Sequence, residues 1–143
     1  LVAEIDGVRY INDSKATNAH AAAASLTSFE SVVWILGGLL KGVDISDLVS
    51  QFAPRLRGAV VIGADRAEIV EAFAKLAPNV PLVEISGGES VMSQAVSSAS
   101  KLASAGDVVL LAPAAASMDQ FLNYQQRGDR FIEAVSKLVG DSQ

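Results

Sequence analysis

The run Asn12-Asp13-Ser14-Lys15-Ala16-Thr17-Asn18 puts an acid, an ammonium and four short polar side chains into seven consecutive positions. Two other stretches hold residue types that could do chemistry. Gly37-Gly38-Leu39-Leu40-Lys41-Gly42 sets one lysine among glycines, which would let an ammonium swing onto an anion. Ala112-Pro113-Ala114-Ala115-Ala116-Ser117-Met118-Asp119-Gln120-Phe121 is rich in small residues that let backbone approach a ligand closely. Ser117 stands where a helix N-cap belongs, so its hydroxyl and the N–H groups after it could grip a carboxylate. The chain has a net charge of −5, yet Lys15, Lys41 and Arg127 fall in or near these stretches. That local reversal of sign suits an anionic ligand, a carboxylate or a phosphate. Plainer readings stand beside each of these. Strand-to-helix loops are commonly polar and capped, glycines also make simple tight turns, and basic side chains belong on exposed loops. Asp119 suits the first turn of a helix for dipole reasons alone, which makes it structural rather than catalytic. Phe121 and Tyr124 read as core, or as one wall of a pocket. Gly128 would permit close helix–sheet packing.

The elements that must hold these residues follow from periodicity. Leu1–Ile5 and Val8–Asn12 flank Asp6-Gly7, the preferred pair for a two-residue hairpin turn, so the first two strands should be antiparallel. A helix is expected from about Thr17 to Leu26, capped by Thr17 or Asn18, with Ala19, Ala22, Ala23 and Leu26 on one face. Ser31–Leu36 is apolar throughout, as a strand buried on both faces would be. A short helix over Ile45–Phe52 stops near Pro54. The pattern then repeats. Strands are expected at Gly58–Ile62, Pro81–Ile85 and Val108–Leu111. A turn and cap at Gly63-Ala64-Asp65 leads into a helix over Arg66–Leu76, with Ile69, Val70, Phe73 and Leu76 inward. A helix over Glu89–Leu102 stops at Gly106. Ala112–Gln126 forms a loop and first helical turns, and a last helix turns Phe131, Val135 and Leu138 inward. Alternating strands and helices predict an α/β, Rossmann-like three-layer domain. Its sheet should be mostly parallel, of about six strands, with one antiparallel member from the hairpin. Ligands of such sheets bind beyond the carboxyl ends of the strands. The loops that matter are therefore Asn12–Asn18, Gly37–Gly42, Gly63–Asp65 and Ala112–Gln126.

Composition excludes several classes. With 143 residues and no internal repeat or linker, the chain reads as one domain, 1–143. Its acidity argues against a nucleic-acid or membrane-surface partner. No apolar run reaches the ~20 residues of a membrane span. The absence of cysteine excludes thiolate metal sites and fits a reducing compartment, and a single histidine, His20, argues against a histidine metal site or a Ser-His-Asp triad. Neither GxxxxGK[ST] nor GxGxxG occurs, so the domain should not hold nucleotide phosphates alone or bind NAD in the usual way. Leu1 is not an initiator Met, and the chain reads as a piece of something longer.

Taken in order, the Asn12–Asn18 run, Gly37-Gly38 with Lys41-Gly42, and Pro113 with Ala116–Phe121 and Gln126-Arg127-Gly128 closely resemble the C-terminal domain of the Mur ligases. The resemblance covers nearly the whole chain, with three motifs in register. Related Mur ligases and folylpolyglutamate synthases usually carry an Asp-Tyr-x-His type motif in the first loop. Asp13-Ser14-Lys15-Ala16-Thr17-Asn18 instead resembles the branch that adds D-glutamate to UDP-N-acetylmuramoyl-L-alanine, a peptidoglycan precursor. The resemblance implies a three-domain, ATP-dependent ligase whose UDP-binding and central ATPase domains lie outside this sequence. In that reaction ATP phosphorylates the L-alanyl carboxylate, and the D-glutamate amine attacks the acyl phosphate. It implies D-glutamate contacts at Thr17, Lys41, Ser117, Met118 and Tyr124, an ATP contact at Asp13, and a catalytic Lys15 near the transferred phosphate. ATP and Mg2+ would serve the full-length enzyme, with no metal held by this domain, and the isolated domain would be inactive. A cytoplasmic monomer is implied. Two departures are visible. Leu39 stands where some members have Asp, which bears on the loop's fine geometry, and an ATP-binding Arg of the family would precede Leu1. Two other readings stay open: a related ligase for another amino acid, and a non-catalytic Rossmann-like binding module.

Overall fold

Asp6 and Gly7 both take positive φ, 53° and 80°, which closes the expected two-residue turn between β1 (Ala3–Ile5) and β2 (Val8–Asn12). The two strands pair antiparallel, with Ile5 opposite Val8. The computed structural model describes residues 1–38, 40, 44–87, 90–115, 121 and 123–141. Lys41, Ser117, Met118 and Asp119 lie outside the described residues.

The remaining strands are β3 (Val32–Gly37), β4 (Leu56–Ile62), β5 (Leu82–Glu84) and β6 (Val108–Leu111). The helices are α1 (Ala19–Thr27), α2 (Ser46–Phe52), α3 (Arg66–Leu76), α4 (Val91–Leu102) and α5 (Tyr124–Asp141). The strands form one six-stranded sheet in the order β1-β2-β6-β3-β4-β5, parallel except for β1. Every residue of β3 is buried. Trp34 and Leu36 face α1, α2 and α3 through Leu26, Val49, Phe52 and Phe73. Val33 and Ile35 face α4 and α5 through Ala95, Ala99, Phe131 and Val135. A strand with helices on both sides has no solvent face, which is why its sequence shows no alternation.

Two features of the topology position the site. The chain crosses from β2 through α1 to β3 and leaves a place between them, which β6 fills last. The loop after β6 therefore lies between the loop after β2 and the loop after β3, although these segments are far apart in sequence. At the end of β3, Gly37 has φ +121°, and a Cβ there would lie 1.9 Å from the carbonyl oxygen of Ile62. Only glycine allows β3 and β4 to close together at this edge.

Several expectations need correction. Helix α1 begins at Ala19 rather than Thr17, because Asn18 is the cap: its Oδ1 accepts from the N–H of Ala21 at 2.9 Å. Helix α3 has the expected bounds, but Asp65 makes no side-chain cap bond to it. Ile69, Ala72 and Phe73 carry its buried face, and Leu76 stays 41% exposed. Leu76 falls in the last turn, where the three-residue edge strand β5 offers little surface to pack against. Helix α5 begins at Tyr124, inside the Ala112–Gln126 stretch where its first turns are expected, and residues 116–120 and 122 of that stretch lie outside the described residues.

Candidate functional site

At the carboxyl edge of the sheet, backbone hydrogen bonds staple the loops after β2, β6, β3 and β4 each to the next. Asp13 donates its N–H to the carbonyl of Leu111 at 2.8 Å, continuing the β2–β6 pairing into the first loop. Ala114 donates to the carbonyl of Ala16 at 2.9 Å. The loop after β6 is in turn held to β3 by the N–H of Gly37, which donates to Pro113 O at 2.9 Å. Buried Trp34 adds a bond from its indole N–H to Ala112 O at 2.7 Å. Asp65 donates its N–H to Gly38 O at 3.2 Å, joining the loops after β3 and β4. Ala114 holds φ at +60°, a conformation that costs an alanine about 1–2 kcal/mol and that the bonds around it must offset.

A side-chain knot ties the first loop to α5. Arg127 is 1% exposed. Its Nε donates to Ser14 Oγ at 2.9 Å, one Nη to Ser14 O at 2.8 Å and the other Nη to Ala115 O at 3.0 Å. The Ser14 hydroxyl donates to the carbonyl of Tyr124 at 2.6 Å. A planar guanidinium suits this work because its donors are fixed in a fork and can serve two loops at once. The expectation that Arg127 adds a positive charge at the ligand edge is thus corrected: burial and three inward bonds occupy it. Gly128 plays its expected part, since a Cβ there would lie 2.9 Å from the Asn12 side-chain amide and 3.3 Å from Ser14 Cβ. Helix α5 can therefore sit directly on the first loop.

Between this loop and the start of α5 lies an open cleft of about 340 Å³. Asn12, Asp13, Ser14 and Lys15 form one wall, and Tyr124, Gln125, Gly128 and Asp129 form the other. The structure thus brings Asp13, Lys15 and Tyr124 together, three of the residues expected at the site. Lys15 is exposed, Asp13 is half-buried and Tyr124 is 37% exposed. Thr17 follows on the same loop, half-buried, with its N–H donating to Lys15 O at 2.9 Å, but it does not line the cleft. His20 is exposed on α1. Another cleft, of about 420 Å³, lies between the first turn of α4 and α5; Phe121, expected as core or a pocket wall, lines it, but none of the residues expected to contact D-glutamate or ATP does. Arg130 and Glu133 on its wall pair with each other at 2.9 Å. The smaller cleft is the candidate site because it stands at the strand ends. Among the described residues no three acidic or histidine side chains gather as a metal would require. No helix among them is long and apolar enough to cross a membrane.

Reading the sequence missed two participants. Ser14 counted only as part of a polar run, and Asp65 only as a helix cap. Asp65 instead accepts the N–H of Leu40 on its carboxylate, at 2.7 Å. The available signal was an acid in a strand-end loop, but its partner is set by strand order.

Together, the doubly covered parallel sheet, the stapled loops and the cleft define a Rossmann-like α/β domain with its binding edge at the strand ends. A family model described as "Mur ligase, glutamate ligase domain" matches residues 1–115. The chain belongs to this Mur ligase family. It is 58% identical over 140 residues to a UDP-N-acetylmuramoylalanine–D-glutamate ligase of Thermobifida fusca, covering 97% of this chain and 30% of that protein. It is 59% identical over 138 residues to the ligase of the same name from Streptomyces coelicolor, covering 96% of this chain and 29% of that protein. The chain thus spans about 30% of the length of these relatives. A solved domain assigned to a UDP-N-acetylmuramate:L-alanyl-gamma-D-glutamyl-meso-diaminopimelate ligase of Haemophilus ducreyi superposes with TM-score 0.58 at 12% identity, over 92% of this chain and 94% of that one. At that identity the likeness speaks for the fold.

Proposed function

We propose that residues 1–143 are the C-terminal, amino-acid-delivering domain of a cytoplasmic ligase. That ligase would join D-glutamate to UDP-N-acetylmuramoyl-L-alanine at the expense of ATP, in peptidoglycan precursor synthesis. The observation that carries this reading is the cleft at the strand ends, where Asp13, Lys15 and Tyr124 converge from two distant parts of the chain. The names of the relatives at 58% and 59% identity point to the same reaction.

D-glutamate carries two carboxylates, so two anion grips are needed. Lys41, an ammonium beside glycine in sequence, and Ser117, a short hydroxyl, are the residue types that supply them. Thr17, Met118 and Tyr124 complete the amino-acid contacts. Lys15, free to reach from an exposed loop, neutralises charge on the phosphate in transit. Asp13 meets ATP from across the domain interface. Mg2+ would add charge neutralisation to phosphoryl transfer when bound, with its ligands supplied by the rest of the ligase. The whole ligase works as a monomer, without nucleic-acid or membrane partners.

The test is phosphate release by the full-length protein given UDP-N-acetylmuramoyl-L-alanine, ATP and Mg2+. D-glutamate should support release, and L-glutamate or D-aspartate should not. Release driven by a different amino acid would reassign the branch. No amino-acid-dependent release would favour a binding module.

A further inference from the structure

At the amino end of the sheet, opposite the candidate site, a third cavity of about 350 Å³ lies between the β1–β2 turn, the end of α4 and the last turns of α5. That size is at the low end of the ~300–1,000 Å³ usual for small-molecule sites. Ile5, Val8, Ala103 and Leu138 give it apolar walls, and Asp6, Tyr10 and Ser100 supply its polar groups. Among the described residues no lysine or arginine lines it. Backbone contacts fix its shape. The N–H of Gly106 donates to Gly7 O at 2.9 Å, and a Cβ on Gly7 would lie 3.0 Å from Ala105 Cβ. The hairpin turn is thus docked on the loop after α4, and the cavity is preformed.

Tyr10 is the group that the fold leaves unexplained. The residue is 2% exposed. Its backbone carbonyl accepts from Val2 at 2.7 Å, but among the described residues its hydroxyl has no hydrogen-bond partner. None of those residues leaves a fully buried side-chain oxygen without a partner. The hydroxyl therefore holds what exposure the residue has, and that exposure is into the cavity the side chain lines. Burial, and then the charge of Asp6, push the phenol above its ordinary range, so it stays protonated at neutral pH. Ser100 donates its hydroxyl proton to Ser97 O at 2.7 Å and can offer only lone pairs. Asp6 is exposed in its turn and forms no ion pair among the described residues. A carboxylate, an accepting hydroxyl and a free phenol suit a positive, donor-rich group. An anion would meet Asp6 with no cation to offset it.

We propose that this cavity is a binding site for a small organic ammonium ion, its charge toward Asp6 and the Tyr10 hydroxyl and its apolar body against Ile5, Val8, Ala103 and Leu138. D-glutamate and ATP are anions, so this ligand belongs to a different class from those of the proposed reaction. The phenol ring adds a face to which an ammonium is attracted.

Ligand-observed NMR on the full-length ligase tests this with three probes that share one ring: 2-phenylethylammonium, 2-phenylethanol and phenylacetate. The ammonium should bind saturably with a dissociation constant of about 1 mM, the alcohol about threefold or more weakly, and phenylacetate not measurably up to about 10 mM. Asp6→Asn should weaken ammonium binding about threefold and leave the alcohol unchanged. Tyr10→Phe should weaken both by about threefold. Asparagine is tolerated at the positive φ of residue 6, and phenylalanine keeps the ring, so both variants should fold. Ala103→Leu, which fills the cavity, should weaken both probes further. No saturable ammonium binding below about 10 mM, phenylacetate bound as well as the ammonium, or an ammonium affinity unchanged in Asp6→Asn would each overturn the proposal.

Discussion

Ser14 and Arg127 show at residue scale how the site is held. The serine hydroxyl donates to Tyr124 O and accepts from Arg127 Nε, so one small side chain closes contacts across 110 and 113 positions. Ser14→Ala would leave a buried guanidinium N–H and a backbone carbonyl without this partner, at a cost of about 1–3 kcal/mol. Arg127→Lys should cost about 2 kcal/mol or more, because one ammonium cannot serve Ser14 Oγ, Ser14 O and Ala115 O in the fork's geometry. Urea unfolding of the isolated chain checks both, and a change below 0.5 kcal/mol in either variant (about the noise of a surface substitution) would remove the knot from this account. The sequence shows which residue types crowd the loops but not which of them face inward. Arg127 and Lys15 are both basic and both near the edge, yet one is 1% exposed and the other open to solvent. That difference depends on strand order, which residue type and spacing do not encode locally.

Elements were more legible than contacts. The Asp6-Gly7 turn, the unbroken apolar strand expected at Ser31–Leu36 and found at Val32–Gly37, and the bounds of Arg66–Leu76 all follow from local chemistry. The start of α1 was off by two residues, because Thr17 and Asn18 are both competent caps and only the tertiary path selects Asn18. Glycines divide by context in the same way. Gly37→Ala would force a Cβ to 1.9 Å from Ile62 O at φ +121°, and should cost about 3 kcal/mol or more. Gly140, in the last turns of α5, has no atom within 4 Å of its would-be Cβ. Gly140→Ala should stabilise the helix, by up to about 1 kcal/mol and by less if the end frays. Thermal melts of the two variants should move in opposite directions. A Gly37→Ala protein as stable as the parent would show that β3 and β4 do not approach as closely as described.

For the whole molecule, the central claim is that this chain delivers the amino acid and leaves phosphoryl transfer to the rest of the ligase. Both faces of the sheet are covered by helices of the chain itself, and the cores on the two sides close without outside help, so the chain should fold alone. It should release no phosphate from ATP, because its sequence has no phosphate-cradling GxxxxGK[ST] loop. D-glutamate should still find its grips, with the pocket open on the side that the other domains would close. The expected dissociation constant is millimolar or weaker, about 4 kcal/mol of binding or less. The most direct measurement is an NMR titration of the isolated chain with D- and L-glutamate. The account predicts shifts clustered at Thr17, Lys41, Ser117 and Tyr124, saturating at lower concentration with the D isomer. Equal response to both isomers, or shifts centred on the opposite end of the sheet around Asp6 and Ser100, would contradict it.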